Sequence, residues 1–199
     1  MLKGIDISHH QKNMKDVRSV NKFDFVIMKA TEGRSYRDPA LMYFNKCLDP
    51  EHLKGFYHFA RADRGNSPEA EASNFINTIL PYLDDFSIIA LDLEDKTLFV
   101  PDIDTWALKW CKAVFAATGK TPLIYCSESD INRFKKCSKW GCGLWVAKWS
   151  ILKPTKKAIQ PWKVWAIWQY SSKAIHSGVR VDTDYFNGDR EQFLKYARN

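Results

Sequence analysis

Eight short apolar segments, none longer than nine residues, recur along this 199-residue chain and constrain its fold more than any other feature. They are residues 3–8, 23–31, 55–60, 86–94, 122–127, 144–149, 165–171 and 181–186. Each is rich in β-branched or aromatic residues, a pattern typical of β-strands. Helix-like patterns lie between several of them, so strand and helix alternate, which favours an α/β fold with a mostly parallel sheet.

Three of the intervening segments carry helix signals: residues 39–53, 67–80 and 104–118. The second begins with Ser67 as a helix cap and Pro68 at the first helical position, and the third ends at Gly119, a C-terminal stop signal. Residues 138–186 leave little room for full helices. A regular (β/α)8 barrel has about 250 residues. The sequence therefore predicts an irregular, TIM-barrel-like (β/α) barrel whose later helices are short or missing.

Composition and charge narrow the function classes. The chain is 45% hydrophobic and 27% charged, which is typical of a globular domain, and it carries a net charge of +7. That charge favours an anionic partner such as nucleic acid, an anionic membrane or an acidic polymer of the bacterial wall. The lysines are spread along the chain without a dense block, which disfavours a dedicated nucleic-acid-binding arm.

The five cysteines and the lengths of the apolar runs argue against metal or redox sites, a secretory signal and a membrane span. No CxxC pair is present, which disfavours a zinc ribbon or a thioredoxin-like site. Cys137 and Cys142 could approach one another, but a reduced state is the expectation. No apolar run is long enough for a secretory signal or a membrane span. We expect synthesis in the cytoplasm without a signal peptide, and no insertion into a membrane.

Polar residues gather at the carboxyl ends of the apolar segments. They are Asp6, Ser8, Lys29, Thr31, Glu32, Tyr57, His58, Asp92, Glu94, Tyr125, Ser127, Gln169 and Tyr170, with Asp182 and Asp184 inside the last segment. In a barrel these ends form one open mouth, where active sites lie. Strand ends are also near solvent, which explains some polar residues without any function.

The segment SIIALDLEDK, residues 87–96, contains the most informative acids. Asp92 and Glu94 are two residues apart in a strand, so they point to the same side with Cα atoms about 6.6 Å apart. Repulsion between two such carboxylates keeps a proton on one of them, which makes a general acid near neutral pH. Glycoside hydrolysis needs that acid and an anion beside it. Asp95 points the other way and suits a surface or helix-capping role.

Other motifs are weak. The stretch ATGKT, residues 117–121, lacks the earlier glycine of a phosphate-binding loop and closes a helix. Asp6, His9, His10 and His58 have no metal-binding spacing, and Ser8 lacks a nucleophile elbow. We therefore predict neither a metal nor a cofactor.

Taken together, eight stretches resemble glycoside hydrolase family 25, the Chalaropsis-type lysozymes or N-acetylmuramidases. They are GIDISHHQ, FVIMKATEG, GFYHFAR, LDLED, PLIYCS, LWVAKW, WAIWQYSS and VDTDYFNG, in the order of the family and over nearly the whole chain. The resemblance implies an irregular β/α barrel that hydrolyses the β-1,4 bond from N-acetylmuramic acid to N-acetylglucosamine in peptidoglycan, with retention of configuration.

The family's acidic cluster corresponds to Asp6, Asp92, Glu94 and Asp182. The resemblance makes Glu94 the general acid and Asp92 its partner, which either attacks directly or orients the substrate's 2-acetamido group. Positions that match the family's groove are Tyr57, Tyr125, Trp168, Gln169, Tyr170, Lys29 and Glu32. Packing in the barrel mouth explains the aromatic residues equally well, and an ion pair at the rim explains Lys29 and Glu32.

The layout favours one catalytic domain over residues 1–199 without a separate wall-binding domain, acting as a monomer on bacterial peptidoglycan. Such a chain is similar to a bacteriophage or prophage endolysin, which reaches the wall after release from the cytoplasm. The +7 charge would attract anionic wall polymers. The alternatives are a non-catalytic glycan-binding barrel, a chitinase-like N-acetylglucosaminidase and a basic nucleic-acid-binding protein.

Overall fold

Nine strands and five helices make up the computed structural model, which describes residues 1–199. The strands are β1 (Leu2–Ile7), β2 (Phe25–Glu32), β3 (Tyr36–Arg37), β4 (Leu53–Phe59), β5 (Ser87–Asp92), β6 (Leu123–Ser127), β7 (Gly143–Ala147), β8 (Ile167–His176) and β9 (Val179–Phe186). The helices are α1 (Leu41–Cys47), α2 (Pro68–Ile79), α3 (Ile103–Thr118), α4 (Lys135–Trp140) and α5 (Arg190–Ala197). None of these helices is long and apolar enough to cross a membrane.

Eight of the strands close into a barrel because β1 pairs with β2 on one side and with β9 on the other. The short strand β3 extends the sheet beside β2 and lies outside the closed ring. The pairings from β1 through β2, β4, β5, β6 and β7 to β8 are parallel. The prediction of an irregular α/β barrel is therefore confirmed.

The helix signals that depend on neighbouring residues predicted the helix ends correctly. The Ser67 hydroxyl accepts the Ala70 amide at the start of α2, and Gly119 ends α3 with a φ of 70°. Helix α1 is shorter than the predicted 39–53, since it ends at Cys47. Pro50 disfavours helical backbone in the residue before it, and the chain becomes extended at Leu48. As expected, the later part of the barrel is poor in helix, because no helix separates β7, β8 and β9.

The last strand runs in the opposite direction to the other barrel strands, which differs from a purely parallel barrel. A two-residue turn, Ser177–Gly178, joins β8 to β9 with φ values of 47° and 85°. So short a connection joins only antiparallel neighbours. The beginning of β9 therefore lies at the mouth of the barrel, where the other strands end.

The barrel interior is apolar in its lower half. Phe25, Ile27 and Leu123 fill it, and Phe193 of α5 closes the lower end against Phe25 and Phe186, with ring centroids 5.5 and 5.1 Å away. A larger apolar layer lies between the strands and the surrounding helices. All five cysteines are free. The upper half of the barrel is left for polar side chains.

Candidate active site

A cavity of about 190 Å³ opens at the carboxyl ends of the barrel strands. It is lined by Asp6, Ser8, His10, Lys29, Tyr57, Phe59, Asp92, Glu94, Tyr125, Trp145, Gln169 and Asp182. The four acids predicted from the sequence are all among them. Residues that are up to 176 positions apart (Asp6 to Asp182) therefore share one pocket.

Strand β5 supplies the central pair. Its residues from Ser87 to Asp92 are all buried, and Asp92 is the last of them. Glu94 keeps an extended backbone, with φ −147° and ψ −176°, so the alternation of the strand continues and both carboxyls face the pocket. Asp95 then turns the chain with a φ of 53°. The buried strand ends in acids because its last two inward positions form the pocket wall.

The antiparallel pair of β1 and β9 supplies the opposite wall. Asp6 and Asp182 are direct partners across these strands, so their side chains lie on the same face of the sheet. Asp184, two residues further along β9, points to the same side and is fully buried. Its Oδ1 accepts a 2.9 Å hydrogen bond from Trp145 Nε1, whereas its Oδ2 has no hydrogen-bond partner.

The environment of the β5 pair favours protonation. Burial, followed by the charges of Asp95 and Asp182, raises the pKa of Glu94 to about 7, although Lys29 opposes the shift. Burial and the charge of Glu94 raise the pKa of Asp92 well above its ordinary value. The pair therefore retains a proton near neutral pH, as a general acid requires.

A second pair of carboxyls, Asp6 and Asp184, belongs to the opposite wall, on β1 and β9. Burial raises the pKa of Asp6, and the charges of Asp184 and Asp182 add to the shift, whereas the hydrogen bond from Gln169 opposes it. Burial also raises the pKa of Asp184 to about 7, against the effect of its Trp145 hydrogen bond. Asp184 is therefore only partly ionised at neutral pH, and the pKa of Asp6 is shifted in the same direction.

Gln169 connects three walls of the pocket. Its Nε2 donates to Asp6 Oδ2 at 2.9 Å, and its Oε1 accepts from Tyr125 Oη at 3.1 Å and from Trp149 Nε1 at 3.0 Å. These contacts fix the orientation of the amide, because only the nitrogen can donate to a carboxylate. The sequence placed Gln169 and Tyr125 in the mouth of the barrel, and both line the pocket.

Aromatic rings and one ion pair complete the lining. Trp145 lies edge-on to Tyr125 and Tyr57, with ring centroids 4.8 and 6.2 Å away. Lys29 Nζ lies 4.6 Å from the centroid of the Phe59 ring and donates to Glu32 Oε2 at 2.8 Å. Of the two rim residues predicted from the sequence, only Lys29 lines this pocket. Glu32 lines a neighbouring cavity instead.

Trp168 and Tyr170, like Glu32, lie outside the acidic pocket, whereas Tyr57, Tyr125, Gln169 and Lys29 line it. Because Gln169 points inward, strand alternation directs both of its neighbours outward. Trp168 is buried in the outer layer, where its Nε1 donates to the carbonyl of Lys148 at 2.8 Å. Tyr170 stacks on Tyr185 with ring centroids 4.6 Å apart. Tyr170 also lines a separate surface cavity beside Trp149.

Three residues that line the pocket, His10, Phe59 and Trp145, were not among the polar residues predicted at the barrel mouth. Ser8 and Asp184 were predicted there, but without a catalytic role. The alternation that paired Asp92 with Glu94 also pairs Asp184 with Asp182, so that signal was present in the sequence. Trp145 shares its face with Ala147 at the end of β7, but the apolar surroundings of this tryptophan resemble those of any core residue.

Comparisons with known proteins agree with this geometry. The family model described as glycosyl hydrolases family 25 matches residues 5–179. The chain is 28% identical to the YegX protein of Escherichia coli K12, over 98% of its own length and 72% of that protein.

Two solved structures share the fold over the whole chain. A bacterial lysozyme from Streptomyces coelicolor is 27% identical, with a TM-score of 0.82 and 97% of its chain covered. A family 25 lysozyme from Aspergillus fumigatus is 30% identical, with a TM-score of 0.79 and 99% of its chain covered. On the match of its sequence, its barrel and its acidic pocket, this chain belongs to glycosyl hydrolases family 25.

Proposed function

We propose that this chain is an N-acetylmuramidase, which hydrolyses the β-1,4 bond between N-acetylmuramic acid and N-acetylglucosamine in bacterial peptidoglycan. The single observation that carries the proposal is the placement of Asp92 and Glu94 on one wall of the barrel mouth, facing Asp6 and Asp182. Family membership and the lysozymes among the similar structures support the same substrate.

Glu94 is the proposed general acid. Its raised pKa leaves about half of the free protein protonated near pH 7, and its carboxyl borders the pocket. Transfer of that proton to the glycosidic oxygen lets the bond from this oxygen to the anomeric carbon break. The resulting carboxylate then takes a proton from the water that attacks the anomeric carbon, which restores the acid.

Asp92 supports the positive charge that develops at the anomeric carbon. We favour the route in which the oxygen of the substrate's 2-acetamido group attacks that carbon while Asp92 accepts a hydrogen bond from the acetamido N–H. Oδ1 of Asp92 is buried without a partner in the structure and is therefore available for such a donor. A donor there favours the Asp92 anion, which leaves the proton of the pair on Glu94. Direct attack by Asp92 is the alternative, and both routes retain the anomeric configuration.

The experiment that tests the activity is a digest of purified peptidoglycan, followed by borohydride reduction and mass analysis of the fragments. A muramidase yields fragments with reduced muramic acid at the former reducing end. Reduced glucosamine instead would indicate an N-acetylglucosaminidase. Release of neither sugar, together with retained glycan binding, would indicate a non-catalytic barrel.

The proposed site of action is the bacterial wall, reached after release of the protein from the cytoplasm. We further propose that the protein acts as a monomer. The net charge of +7 supports long-range attraction to anionic wall polymers.

A further inference from the structure

A second cavity of about 600 Å³ lies beside the catalytic pocket. Two turns form its walls: residues 33–36 after β2, and residues 64–67 before α2. Lys29 joins the two cavities, because it lines the catalytic pocket, donates to Glu32 at 2.8 Å and lies 5.8 Å from the centroid of the Tyr36 ring. Glu32 and Tyr36 both line the second cavity. The two cavities therefore adjoin at Lys29 and Glu32.

The second cavity contains two guanidinium groups with unused donors. Arg34 makes no side-chain hydrogen bond or ion pair, and the nearest carboxylate to Arg64 is Glu32, at 3.7 Å. The Glu32 carboxylate already contacts Lys29 at 2.8 Å and Arg61 at 3.6 Å. Each guanidinium carries five N–H donors. The wall therefore has spare capacity to bind an anion.

The nearby acids do not cancel this charge. Asp63 pairs with Arg61 at 3.1 Å and does not line the cavity. Among the lining residues, the two cations Arg34 and Arg64 face one carboxylate, Glu32.

A third acid, Glu71, lies fully buried behind the cavity wall. Its oxygens accept hydrogen bonds from His58 Nε2 at 2.8 Å, from Asn66 Nδ2 at 2.8 Å and from the Arg61 amide at 3.0 and 3.2 Å. Burial lowers the pKa of His58 despite its contact with Glu71. The Glu71 carboxylate is therefore satisfied by donors of the protein, and Glu71 does not line the cavity.

Both walls are held in place by side chains from other elements. Asn74 of α2 donates to the carbonyls of Gly33 and Tyr36 at 2.9 and 3.0 Å, which fixes the first turn. Trp106 Nε1 donates to the carbonyl of Asn66 at 2.9 Å, which fixes the second. A site that is formed before binding does not have to order its loops when the ligand arrives.

From the excess of cations, the fixed walls and the shared rim, we infer that this cavity binds a carboxylate of the peptide that substitutes the muramic acid of peptidoglycan. The inference rests on the proposed function. The bond that is cleaved belongs to muramic acid, so the lactyl-linked peptide of that sugar starts beside the catalytic pocket. Guanidinium groups bind carboxylates through paired N–H donors. A cavity of this volume is within the usual range for small ligands and accommodates a short peptide.

The test compares purified peptidoglycan, freed of other wall polymers, in two forms: with free carboxylates, and with these carboxylates converted to amides by carbodiimide and ammonia. The variants are Arg34→Ala/Arg64→Ala and a control, Lys109→Ala/Lys112→Ala, which removes the same charge from exposed positions of α3. We expect the arginine variant to raise KM on the free form about five- to tenfold, as for lost charge-assisted contacts. On the amidated form, wild type and arginine variant should converge. The control should match wild type on both forms within twofold.

Two results would overturn the inference: an arginine variant that matches the control on the free form, or one whose loss is as large on the amidated form. A third result would assign the two arginines to phosphate instead of carboxylate. In that case the arginine variant would lose activity only on walls that carry phosphate polymers, and amidation would have no effect. Co-sedimentation with insoluble peptidoglycan gives the same comparison without turnover. If wild type binds the free form better than the amidated form but releases no muramic acid ends, the carboxylate site stands and the proposed hydrolysis fails.

Discussion

The side-chain amide of Gln169 donates a 2.9 Å hydrogen bond to Asp6 Oδ2, and its oxygen accepts from Tyr125 and Trp149. We predict that Gln169→Met lowers kcat at least tenfold, because Asp6 loses its donor and the Tyr125 hydroxyl its acceptor in a buried site. Steady-state turnover of peptidoglycan and thermal unfolding measure the effect, which should include a destabilisation of about 1–3 kcal/mol. Unchanged kcat would mean that the amide serves only packing.

Glu94→Gln should reduce kcat by at least 10²-fold to 10³-fold while the fold is kept, because the variant has no proton to give to the leaving oxygen. The assay is release of reducing ends from purified peptidoglycan, with circular dichroism as the test of folding. Asp95→Asn is the matched control, since it removes a carboxylate next in sequence, and asparagine tolerates the positive φ of this position. Comparable activity in Glu94→Gln and Asp95→Asn would remove Glu94 from the role of acid.

The dependence of kcat/KM on pH should reflect the ionisation of Glu94. Since the pKa of Glu94 is raised to about 7, kcat/KM is expected to fall as pH rises through that value and the acid ionises. The charge of Asp95 contributes to the raised pKa, so Asp95→Asn should move this basic limb to lower pH. The measurement is kcat/KM from pH 5 to pH 9 for both proteins. A basic limb that does not move, or that moves upward, would contradict this account of the Glu94 environment.

Asp184→Asn should stabilise the protein at high pH. The pKa of Asp184 is about 7 in the folded state against 3.8 as its ordinary value, so the folded state binds more protons between these values. Folding stability therefore falls as pH rises from about 4 to 7 and remains low above that range. Asparagine removes this loss, because it cannot ionise and its oxygen can still accept from Trp145.

Thermal unfolding at pH 5 and pH 8 measures this difference. At pH 8 we expect Asp184→Asn to be more stable on the order of 2 kcal/mol, or about 5 °C in Tm, with a smaller dependence on pH than wild type. A variant that melts below wild type at pH 8 would show that the ionised carboxylate is favourable in the folded protein.

Local sequence signals predicted much of this fold. Apolar segments with β-branched residues located the strands, and Ser67 and Gly119 located helix ends, because each signal acts within a few residues. The direction of β9 was harder to predict from the sequence. Its strand begins at Val179, directly after the Ser177–Gly178 turn and two residues before the segment that identified it. Pairing across that turn, rather than local composition, decides the direction.

The site was predicted where alternation along a strand determines which way a side chain points. That rule brought Asp92 together with Glu94, and its consistent use would have added Asp184 and placed Trp168 on the outer face. The second cavity had no such signal. Arg34 and Arg64 lie in turns that meet only in the folded chain, so neither periodicity nor spacing relates them.

The barrel is closed by the pairing of β1 with β9, and this has a consequence for how the protein is made. Asp6 is synthesised 176 residues before its partner Asp182 and the strand that carries it. A polypeptide that stops before β9 therefore lacks one wall of the barrel. It also lacks Asp182 and Asp184, which β9 carries. Hydrolytic competence is expected to arise abruptly, once β9 has left the ribosome and paired with β1, and fragments that stop before Val179 should be inert.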